Sequence, residues 1–436
     1  MDMITYLKEI VDLAPLVGTE HTSGVRFNPL KLTREQFEAL FPEALYPAAY
    51  YEHGYRTDGE KLGNHPLHLG GGCYFQEPSA MSAITALGVE NGDKVLDLCA
   101  APGSKATALA AANPDGITVC NEIHPKRAQI LVSNLERMGI ANALITRSDA
   151  AALRSGFGAW FDKILVDAPC SGEGMFRKYP EILTDWNEEL VRMCAERSRE
   201  ILEHAAAMLR PGGRLVYSTC TFNLEENEKN ILDFLAHHPE FSVVEHHIDA
   251  AKEGKLGLAA AARIFPDQRG EGHFVCALQK AEDAPVENVK VDHFTQERKP
   301  LVQVERMLTE CVKEPLGFYG NKRGYILKEI GQNVYLIPSD LPCPAGVYIL
   351  RAGVQAAMLK GKTYVPCHHL FTATPTERML QTLRVDDAAA AAFLRGETLA
   401  CDTKGVTGVL WNGLCLGFGK ASGGVLKNHY PKGLRI

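Results

Sequence analysis

The sequence predicts an α/β protein built on a doubly wound parallel sheet, with an N-terminal α+β extension and small β-rich C-terminal modules. Residues 79–282 alternate short apolar runs with helical patterns, which is typical of such a sheet. Short segments punctuated by Gly and Pro at 316–365 and 407–436 favour small β-rich units. The 436 residues exceed one compact core, so we expect several domains.

The predicted core elements follow one another in order. Helices end where Pro or Gly interrupts the pattern, as at Asn113-Pro114 and at Gly139. Asn223 and Glu226 have the spacing of a capping box and predict a helix that begins after Asn223. The predicted strands cover 94–98, 117–120, 144–146, 164–166, 214–217, 241–244 and 274–278, and the predicted helices cover 104–112, 125–138 and 187–209.

Composition excludes several classes of protein. The 46% hydrophobic and 23% charged content is that of an ordinary globular protein. No apolar run approaches the roughly 20 residues that span a bilayer, and the N-terminus lacks a signal-peptide layout, so we expect a cytoplasmic protein without a membrane partner. The 12 cysteines form no C-x-x-C pair, so neither disulfides nor a metal is indicated.

The charge distribution leaves a nucleic-acid partner open. The net charge of -7 argues against one on its own. Residues 411–436, however, carry no carboxylate side chain, and their basic residues are Lys420, Lys427, Lys432 and Arg435.

Two cysteines follow two predicted buried strands, in the segments Asp167-Ala168-Pro169-Cys170 and Ser218-Thr219-Cys220. Ligands of open α/β sheets bind beyond the carboxyl ends of the strands, so both thiols are predicted at the ligand edge. A free cysteine is often only a small buried hydrophobe. A pair at this edge favours covalent catalysis, and spacing alone allows either thiol to be the nucleophile.

A small-residue turn, Cys99 to Lys105, follows the first strand and opens a helix. Such a turn lets the backbone and the helix N-terminal amides approach a ligand. Its pattern is neither G-x-G-x-x-G nor a P-loop. Acids end three successive strands at Asp97, Glu122 and Asp149, where Glu122 can take ribose hydroxyls and Asp149 can lie at an adenine edge. Together they fit a nucleoside cofactor without a pyrophosphate.

Three segments of the core resemble the signature blocks of the Nop/Sun family of S-adenosylmethionine-dependent RNA cytosine-5 methyltransferases: CAAPGSK at 99–105, DAPCSGEG at 167–174 and STCTF at 218–222. Segments 75–79 and 263–274 resemble two further family blocks. In the flanks, 26–31 and 417–435 resemble the RsmF (YebU) branch, whose members act on small-subunit ribosomal RNA and carry a PUA-like C-terminal module.

The resemblance implies a Rossmann-like S-adenosylmethionine-dependent methyltransferase core with PUA-like RNA binding at the C-terminus. The implied division is an N-terminal RNA-binding extension (1–78), a catalytic domain (79–282), a linker (283–303), a first C-terminal domain (304–370) and a PUA-like domain (384–436).

The resemblance also implies the site. Cys220 is the expected nucleophile, Cys170 assists product release, Asp167 holds the base, and Lys105 holds Asp167 and favours the thiolate. No metal is expected. The residues expected to hold S-adenosylmethionine are Cys99, Ala100, Ala101, Pro102, Gly103, Ser104, Lys105, Glu122, Arg127, Asp149 and Asp167.

The implied partner is 16S rRNA, and DNA is not expected. Basic and aromatic residues suited to phosphate contact and base stacking are Arg26, Lys31, Lys322, Arg323, Trp411, Tyr430 and the basic tail. Three alternatives stay open: transfer RNA as the substrate, methylation of an exocyclic amine, and an RNA-binding assembly factor without catalysis. Exocyclic-amine enzymes usually carry a D/N-P-P-Y/F block where this chain has Asp167 to Cys170.

Overall fold

The structure is a computed structural model that describes residues 1–57, 62–249, 251–267, 269–286, 289–296, 301–313 and 324–436. Within these ranges the strands form one sheet of ten strands, one of five and two of four. No helix in the described ranges is long and apolar enough to cross a membrane.

The N-terminal extension is a four-stranded antiparallel sheet of order β2-β3-β1-β4 with short helices around it. Thr33 and Gln36 form a capping box at the start of its longest helix. Its elements are α1 (Met3–Leu7), β1 (Ser23–Phe27), α2 (Arg34–Leu40), β2 (Leu45–Pro47), β3 (Gly54–Thr57), α3 (Pro66–Leu69) and β4 (Cys73–Phe75).

The central region alternates strands and helices, as the sequence predicts. Pro125 starts one helix, and Gly139 ends it with a φ of 75°. The elements are α4 (Ser82–Leu87), β5 (Lys94–Asp97), α5 (Ser104–Ala112), β6 (Ile117–Asn121), α6 (Pro125–Met138), β7 (Ala143–Thr146), α7 (Ala150–Phe157), β8 (Phe161–Asp167), α8 (Ile182–Asp185), α9 (Glu188–Met208), β9 (Leu209–Thr219), α10 (Glu228–His237), β10 (Phe241–Val244), β11 (Lys252–Glu253), β12 (Ala262–Ile264) and β13 (His273–Lys280).

The C-terminal region contains two further sheets, of order β14-β15-β17-β18 and β19-β21-β22-β23-β20. Its elements are α11 (Val302–Cys311), β14 (Tyr325–Ile330), β15 (Asn333–Pro338), β16 (Ile349–Ala352), β17 (Val354–Lys360), β18 (Thr363–Pro366), α12 (His368–Ala373), β19 (Thr382–Val385), α13 (Asp387–Arg395), β20 (Leu399–Ala400), β21 (Gly405–Trp411), β22 (Leu414–Ser422) and β23 (Val425–Asn428).

The predicted doubly wound sheet is confirmed. Strands β9, β8, β5, β6 and β7 lie side by side and run parallel, so their carboxyl ends meet at one edge. Their central residues are almost completely buried, as expected for strands covered by helices on both faces. Strand β13 pairs antiparallel with β9, and β16 pairs antiparallel with β7 at the other side. The sequence did not predict that this C-terminal strand joins the central sheet.

Two helix assignments from the sequence need correction. Helix α7 was not predicted, although Asp149 caps it by accepting a hydrogen bond from the Ala152 N–H at 2.7 Å. The helix expected after Asn223 begins only at Glu228. Asn223 and Glu226 do bond reciprocally, at 2.8 and 2.7 Å, but they hold a turn beside the second cysteine.

The N-terminal extension and the five-stranded C-terminal sheet share one apolar core. Phe27 and Phe37 of the extension belong to the same buried cluster as Phe393, Trp411 and Leu416. These two regions, distant in sequence, therefore stabilise each other through burial of apolar surface.

Candidate active site

The two cysteines meet at the carboxyl ends of β8 and β9. Asp167 pairs with Ser218 across the two strands, and the Ala168 N–H donates to the Ser218 carbonyl at 2.8 Å. Beyond these residues the two loops bring Cys170 Sγ to 3.3 Å from Cys220 Sγ. All twelve cysteines, including this pair, are free thiols.

The two thiols interact directly. The hydrogen bond to Cys220, together with burial, raises the pKa of Cys170 well above its ordinary value. Cys170 is therefore a neutral thiol at neutral pH, and its S–H can donate to the sulfur of Cys220.

Two buried glutamates connect the loops that carry the thiols. Glu226, after the second cysteine, accepts the Ser171 N–H at 2.9 Å, and Glu173, after the first, accepts the N–H groups of Phe222 and Asn223 at 2.6 and 2.9 Å. Both carboxylates are completely buried. Because each loop supplies a carboxylate to the backbone of the other, the spacing of the thiols is fixed from both sides.

Three side chains surround the Asp167 carboxylate at this edge. Lys105 Nζ lies 2.7 Å from its Oδ2, Ser218 Oγ donates to its Oδ1 at 2.8 Å, and His273 Nε2 lies 3.6 Å away. Burial acts to raise the pKa of Asp167, but Lys105 and His273 outweigh it and hold the pKa well below its ordinary value. Asp167 is therefore ionised at neutral pH.

His273 is a member of this site that sequence reasoning missed. It begins β13, its side chain is 2% exposed, and neither ring nitrogen has a hydrogen-bond partner among the described residues. The available signal was a histidine at the start of a predicted strand, and only the pairing of β13 with β9 brings it to Asp167.

The predicted cofactor turn lies at the start of α5. Gly103 precedes the helix with a φ of 111°, and no side chain caps the first amides of α5. Arg127 donates to the Ala101 carbonyl at 2.7 Å, and Asn134 donates to the Pro102 carbonyl at 2.9 Å. Arg127 thus holds the turn, and the uncapped helix amides are available to a ligand with negative or carboxylate character.

Acidic oxygens without hydrogen bonds lie beside this turn. Asp97 is 1% exposed, and neither of its oxygens has a hydrogen-bond partner in the described ranges. Burial, and then the nearby Asp167 carboxylate, raise the pKa of Asp97 to about 7. Glu122 accepts the His124 N–H at 2.8 Å, while its Oε2 lies 3.3 Å from Arg127 without hydrogen-bond geometry.

These features fit a nucleoside cofactor that carries an amino-acid group. Buried, unsatisfied carboxylate oxygens such as those of Asp97 and Glu122 are costly unless a ligand hydroxyl or ammonium donates to them. Asn121 holds the adjoining turns together by donating to the Leu98 and Ser148 carbonyls at 3.2 and 3.0 Å. Asp149 lies exposed at the end of β7, where it also caps α7.

Three residues suggested by sequence as RNA contacts, Arg26, Trp411 and Tyr430, are buried, so those predictions were wrong, and Lys31 is half-buried with its ammonium bonded within the protein. Arg26 is 1% exposed and donates to Gln76 and to the Ser104 carbonyl. Lys31 Nζ donates to the carbonyls of Gly70 and Arg137 at 2.8 and 3.0 Å. These two cations stabilise the junction between the N-terminal extension and the central domain.

Trp411 and Tyr430, the other two, are 4% and 3% exposed and lie in the core shared with the N-terminal extension. They are therefore unavailable for stacking on RNA bases. The suggested residues Lys322 and Arg323 lie outside the described residues. The tail cations are exposed: Lys420, Lys427, Lys432 and Arg435.

Three family models match the chain in succession. The N-terminal domain of 16S rRNA methyltransferase RsmF matches residues 4–78, 16S rRNA methyltransferase RsmB/F matches 84–279, and the methyltransferase RsmF PUA domain matches 380–436.

Solved structures share the fold of the catalytic region. A methyltransferase homologue from Pyrococcus horikoshii is 26% identical, with a TM-score of 0.54 over 62% of this chain and 89% of that one. NSun6 from the same organism, solved with SFG, is 20% identical, with a TM-score of 0.59 over 65% of this chain and 98% of that one.

Curated relatives match nearly the whole chain. Ribosomal RNA small subunit methyltransferase F of Enterobacter sp. (strain 638) is 32% identical over 433 residues, which are 94% of this chain and 89% of that protein. The protein of the same name from Klebsiella pneumoniae (strain 342) is 33% identical over 391 residues, or 86% of this chain and 81% of that one. The chain therefore belongs to the RsmF family of 16S rRNA methyltransferases.

Proposed function

We propose that this cytoplasmic enzyme methylates carbon 5 of a cytidine in 16S rRNA through a transient covalent bond between Cys220 and carbon 6 of the base. The observation that carries the proposal is the pair of sulfurs 3.3 Å apart beside the ionised Asp167. Methyl transfer to an exocyclic amine requires no thiol, so two thiols at this edge favour methylation of carbon.

The cofactor is S-adenosylmethionine, which when bound supplies the electrophilic methyl group that carbon 5 accepts. Asp97 and Oε2 of Glu122, which lack hydrogen bonds of good geometry within the described residues, are suited to its ammonium and ribose hydroxyls. We assign its remaining contacts to the backbone of the turn from Cys99 to Ser104 and to Asp149, with Arg127 holding that turn in place.

Cys220 begins the reaction. Its thiolate adds to carbon 6, the new S–C bond takes the sulfur electron pair, and the C5–C6 double-bond electrons move to carbon 5, which becomes nucleophilic. The proton that Cys220 loses passes to N3 of the base, where it draws electron density from the ring, and ionised Asp167 accepts a hydrogen bond from this N3–H. The same proton returns to the Cys220 sulfur when the product is released. Lys105 keeps Asp167 ionised and adds positive potential beside the thiols.

Cys170 acts when the product is released. The proton on methylated carbon 5 leaves to water, its electron pair restores the C5–C6 double bond, and the bond from carbon 6 to Cys220 breaks with its electrons on sulfur. The neutral thiol of Cys170, 3.3 Å away, donates a hydrogen bond to the departing thiolate. Without this donor, elimination is slowed more than addition.

The experiment that tests this function uses the full chain, labelled S-adenosylmethionine, and separate pools of 16S rRNA, isolated small subunits and transfer RNA. We expect label in small-subunit RNA at cytidines that score as 5-methylcytosine after bisulfite conversion. Label on N4 or on another base contradicts the carbon-5 assignment. Label confined to transfer RNA supports the alternative substrate, and RNA binding without label supports an assembly factor.

A further inference from the structure

A cavity of about 470 Å³ lies between the N-terminal extension and the catalytic domain. Its walls include Ser23 of β1, Asn64 before α3, Phe75 of β4, and Lys178 and Glu271 of the catalytic domain. The volume is in the roughly 300–1,000 Å³ range of ligand sites. Of the described residues that line it, none is a cysteine or aspartate of the proposed reaction.

The cavity adjoins the active site without containing it. Glu271 lines the cavity, and His273, in the same short segment, lies 3.6 Å from Asp167. Lys178 follows the loop that carries Cys170. The base that reacts with Cys220 must contact its sulfur. The cavity is therefore a binding site for a different group, beside the target base.

The two acidic residues in the cavity wall, Glu77 and Glu271, do not prevent RNA from binding there by repelling its phosphates. Glu77 accepts the N–H groups of Ser79, Ala80 and Glu271 at 2.9, 2.8 and 2.8 Å. Glu271 pairs with Arg177 at 2.7 Å. Both carboxylates are thus compensated by donors from the protein.

The remaining wall offers a cation, an amide donor and an aromatic ring. Lys178 is exposed and forms no ion pair with any residue in the described ranges. Gln76 Oε1 accepts from Arg26 at 3.0 Å, which fixes the amide, because a guanidinium can only donate. Gln76 Nε2 is therefore a donor, and it is buried without an acceptor in the described part of the chain. Phe75, partly buried, supplies the ring.

We propose that this cavity holds a nucleobase of the substrate RNA adjacent to the methylated cytidine. Phe75 contacts the face of that base, Gln76 Nε2 donates to one of its carbonyl or ring-nitrogen acceptors, and Lys178 binds a neighbouring phosphate. The inference rests on the proposed function, because it takes an RNA cytidine as the target.

A neighbouring base is the occupant that the observations favour. Extruding the target cytidine from its stack removes a stacking partner from the nucleotides beside it. A cavity that offers an aromatic ring and an unsatisfied buried donor compensates that loss, and the same strand places a phosphate within reach of Lys178.

Photo-crosslinking tests the inference without requiring methyl transfer. The full chain is irradiated with a 16S rRNA transcript that contains 4-thiouridine, and crosslinked peptides are identified by mass spectrometry. We expect crosslinks in the peptides that contain Phe75 and Lys178. We also expect Lys178→Gln to weaken binding of this transcript about five- to tenfold, as loss of one phosphate contact predicts.

The matched control is Lys229→Gln, which neutralises an exposed lysine on α10. Crosslinks found only in other segments, or equal affinities of the two variants, overturn the inference. Methylation of carbon 5 without cavity crosslinks refutes the cavity assignment alone. Crosslinks in the cavity without methylation of carbon 5 support the nucleobase site in the cavity and refute only the proposed reaction.

Discussion

The Glu226 carboxylate accepts the backbone N–H of Ser171 at 2.9 Å, so the chain after the second cysteine holds the chain after the first. Glu173 makes the opposite connection by accepting the Phe222 N–H at 2.6 Å. The proposed active site therefore consists of two loops held together by buried carboxylates, and the spacing of the two sulfurs depends on side chains that need not touch the substrate.

Glu226→Gln is expected to slow methyl transfer with little change in RNA affinity. The Glu226 oxygens accept hydrogen bonds from the Ser171 N–H, the Ser171 hydroxyl and the Asn223 amide. In the glutamine variant an NH₂ group replaces one of these oxygens, so two donors face each other and a hydrogen bond is lost. Displaced sulfurs should lower the single-turnover rate by about 10²-fold. The control Glu225→Gln changes a half-buried neighbour that pairs with Lys229. Equal single-turnover rates for the two variants would contradict the role of Glu226 in fixing the spacing of the sulfurs.

The contribution of two buried carboxyls to stability is expected to fall as the pH rises through neutrality. Burial raises the pKa of Glu226 from 4.5 to about 7 and that of Asp97 from 3.8 to about 7. A carboxyl whose folded pKa is raised stabilises the fold fully below its unfolded pKa, and this contribution is lost as the pH rises through the folded value. Histidines whose pKa values are lowered by burial, such as His68, add stability over the same pH range, so the effect is measured as the difference in unfolding free energy between wild type and a variant that lacks one carboxyl. In urea unfolding at pH 5 and pH 8, this difference should change by an amount on the order of 3 kcal/mol per group.

Asp97→Asn distinguishes the role of this carboxyl in cofactor binding from its effect on the free energy of unfolding. The variant removes a buried charge whose oxygens have no hydrogen bond of good geometry among the described residues, so it should be more stable than wild type at pH 8 and similar at pH 5. Its affinity for S-adenosylmethionine, measured by calorimetry, should fall by at least about tenfold, since a charged partner is lost. Two results would be inconsistent with this assignment: an unfolding free energy that depends on pH in the same way for both proteins, or an unchanged affinity for S-adenosylmethionine.

Lys105→Met should move the acidic limb of the methylation profile to higher pH. Lys105 is the main cation that holds the pKa of Asp167 low, and the proposed reaction uses Asp167 in its ionised form. Without the ammonium, burial raises that pKa toward or above its ordinary value. The check is the pH dependence of the single-turnover rate between pH 5 and pH 8. A lower rate with an unchanged profile argues that Lys105 acts only through packing.

The C-terminal basic residues are expected to supply salt-dependent RNA affinity. Because the C-terminal sheet shares its core with the N-terminal extension, replacing charges is a better test than deleting the module. Changing Lys420, Lys427, Lys432 and Arg435 to Gln should reduce the slope of log K against log[salt] by as much as about 3 to 4. An unchanged slope shows that the tail does not contact phosphate.

The fold and the meeting of the two cysteines were predictable because both depend on local patterns. Apolar runs such as Ile164 to Val166 mark buried strands, and parallel strands necessarily place their carboxyl ends together. The division of roles between Cys170 and Cys220 came from family resemblance, since spacing allowed either order. The 3.3 Å contact between the two sulfurs is compatible with either order, so the assignment of roles remains a proposal that rests on the resemblance.

Long-range contacts account for what the sequence did not predict. His273 reaches Asp167 only through the pairing of β13 with β9, and β16 joins β7 across some two hundred residues of chain. Arg26 and Lys31 look like surface cations in sequence, yet they satisfy buried carbonyls at a domain junction. No local periodicity distinguishes such a cation from an RNA contact.

The central claim is that Cys220 bonds to the base and Cys170 releases it, and trapping the adduct tests this most directly. Wild type, Cys170→Ala and Cys220→Ala are each incubated with S-adenosylmethionine and labelled 16S rRNA and then run on a denaturing protein gel. We predict an RNA-linked band that survives denaturation for Cys170→Ala, and neither a band nor methylation for Cys220→Ala. A stable adduct formed by Cys220→Ala would reverse the two roles.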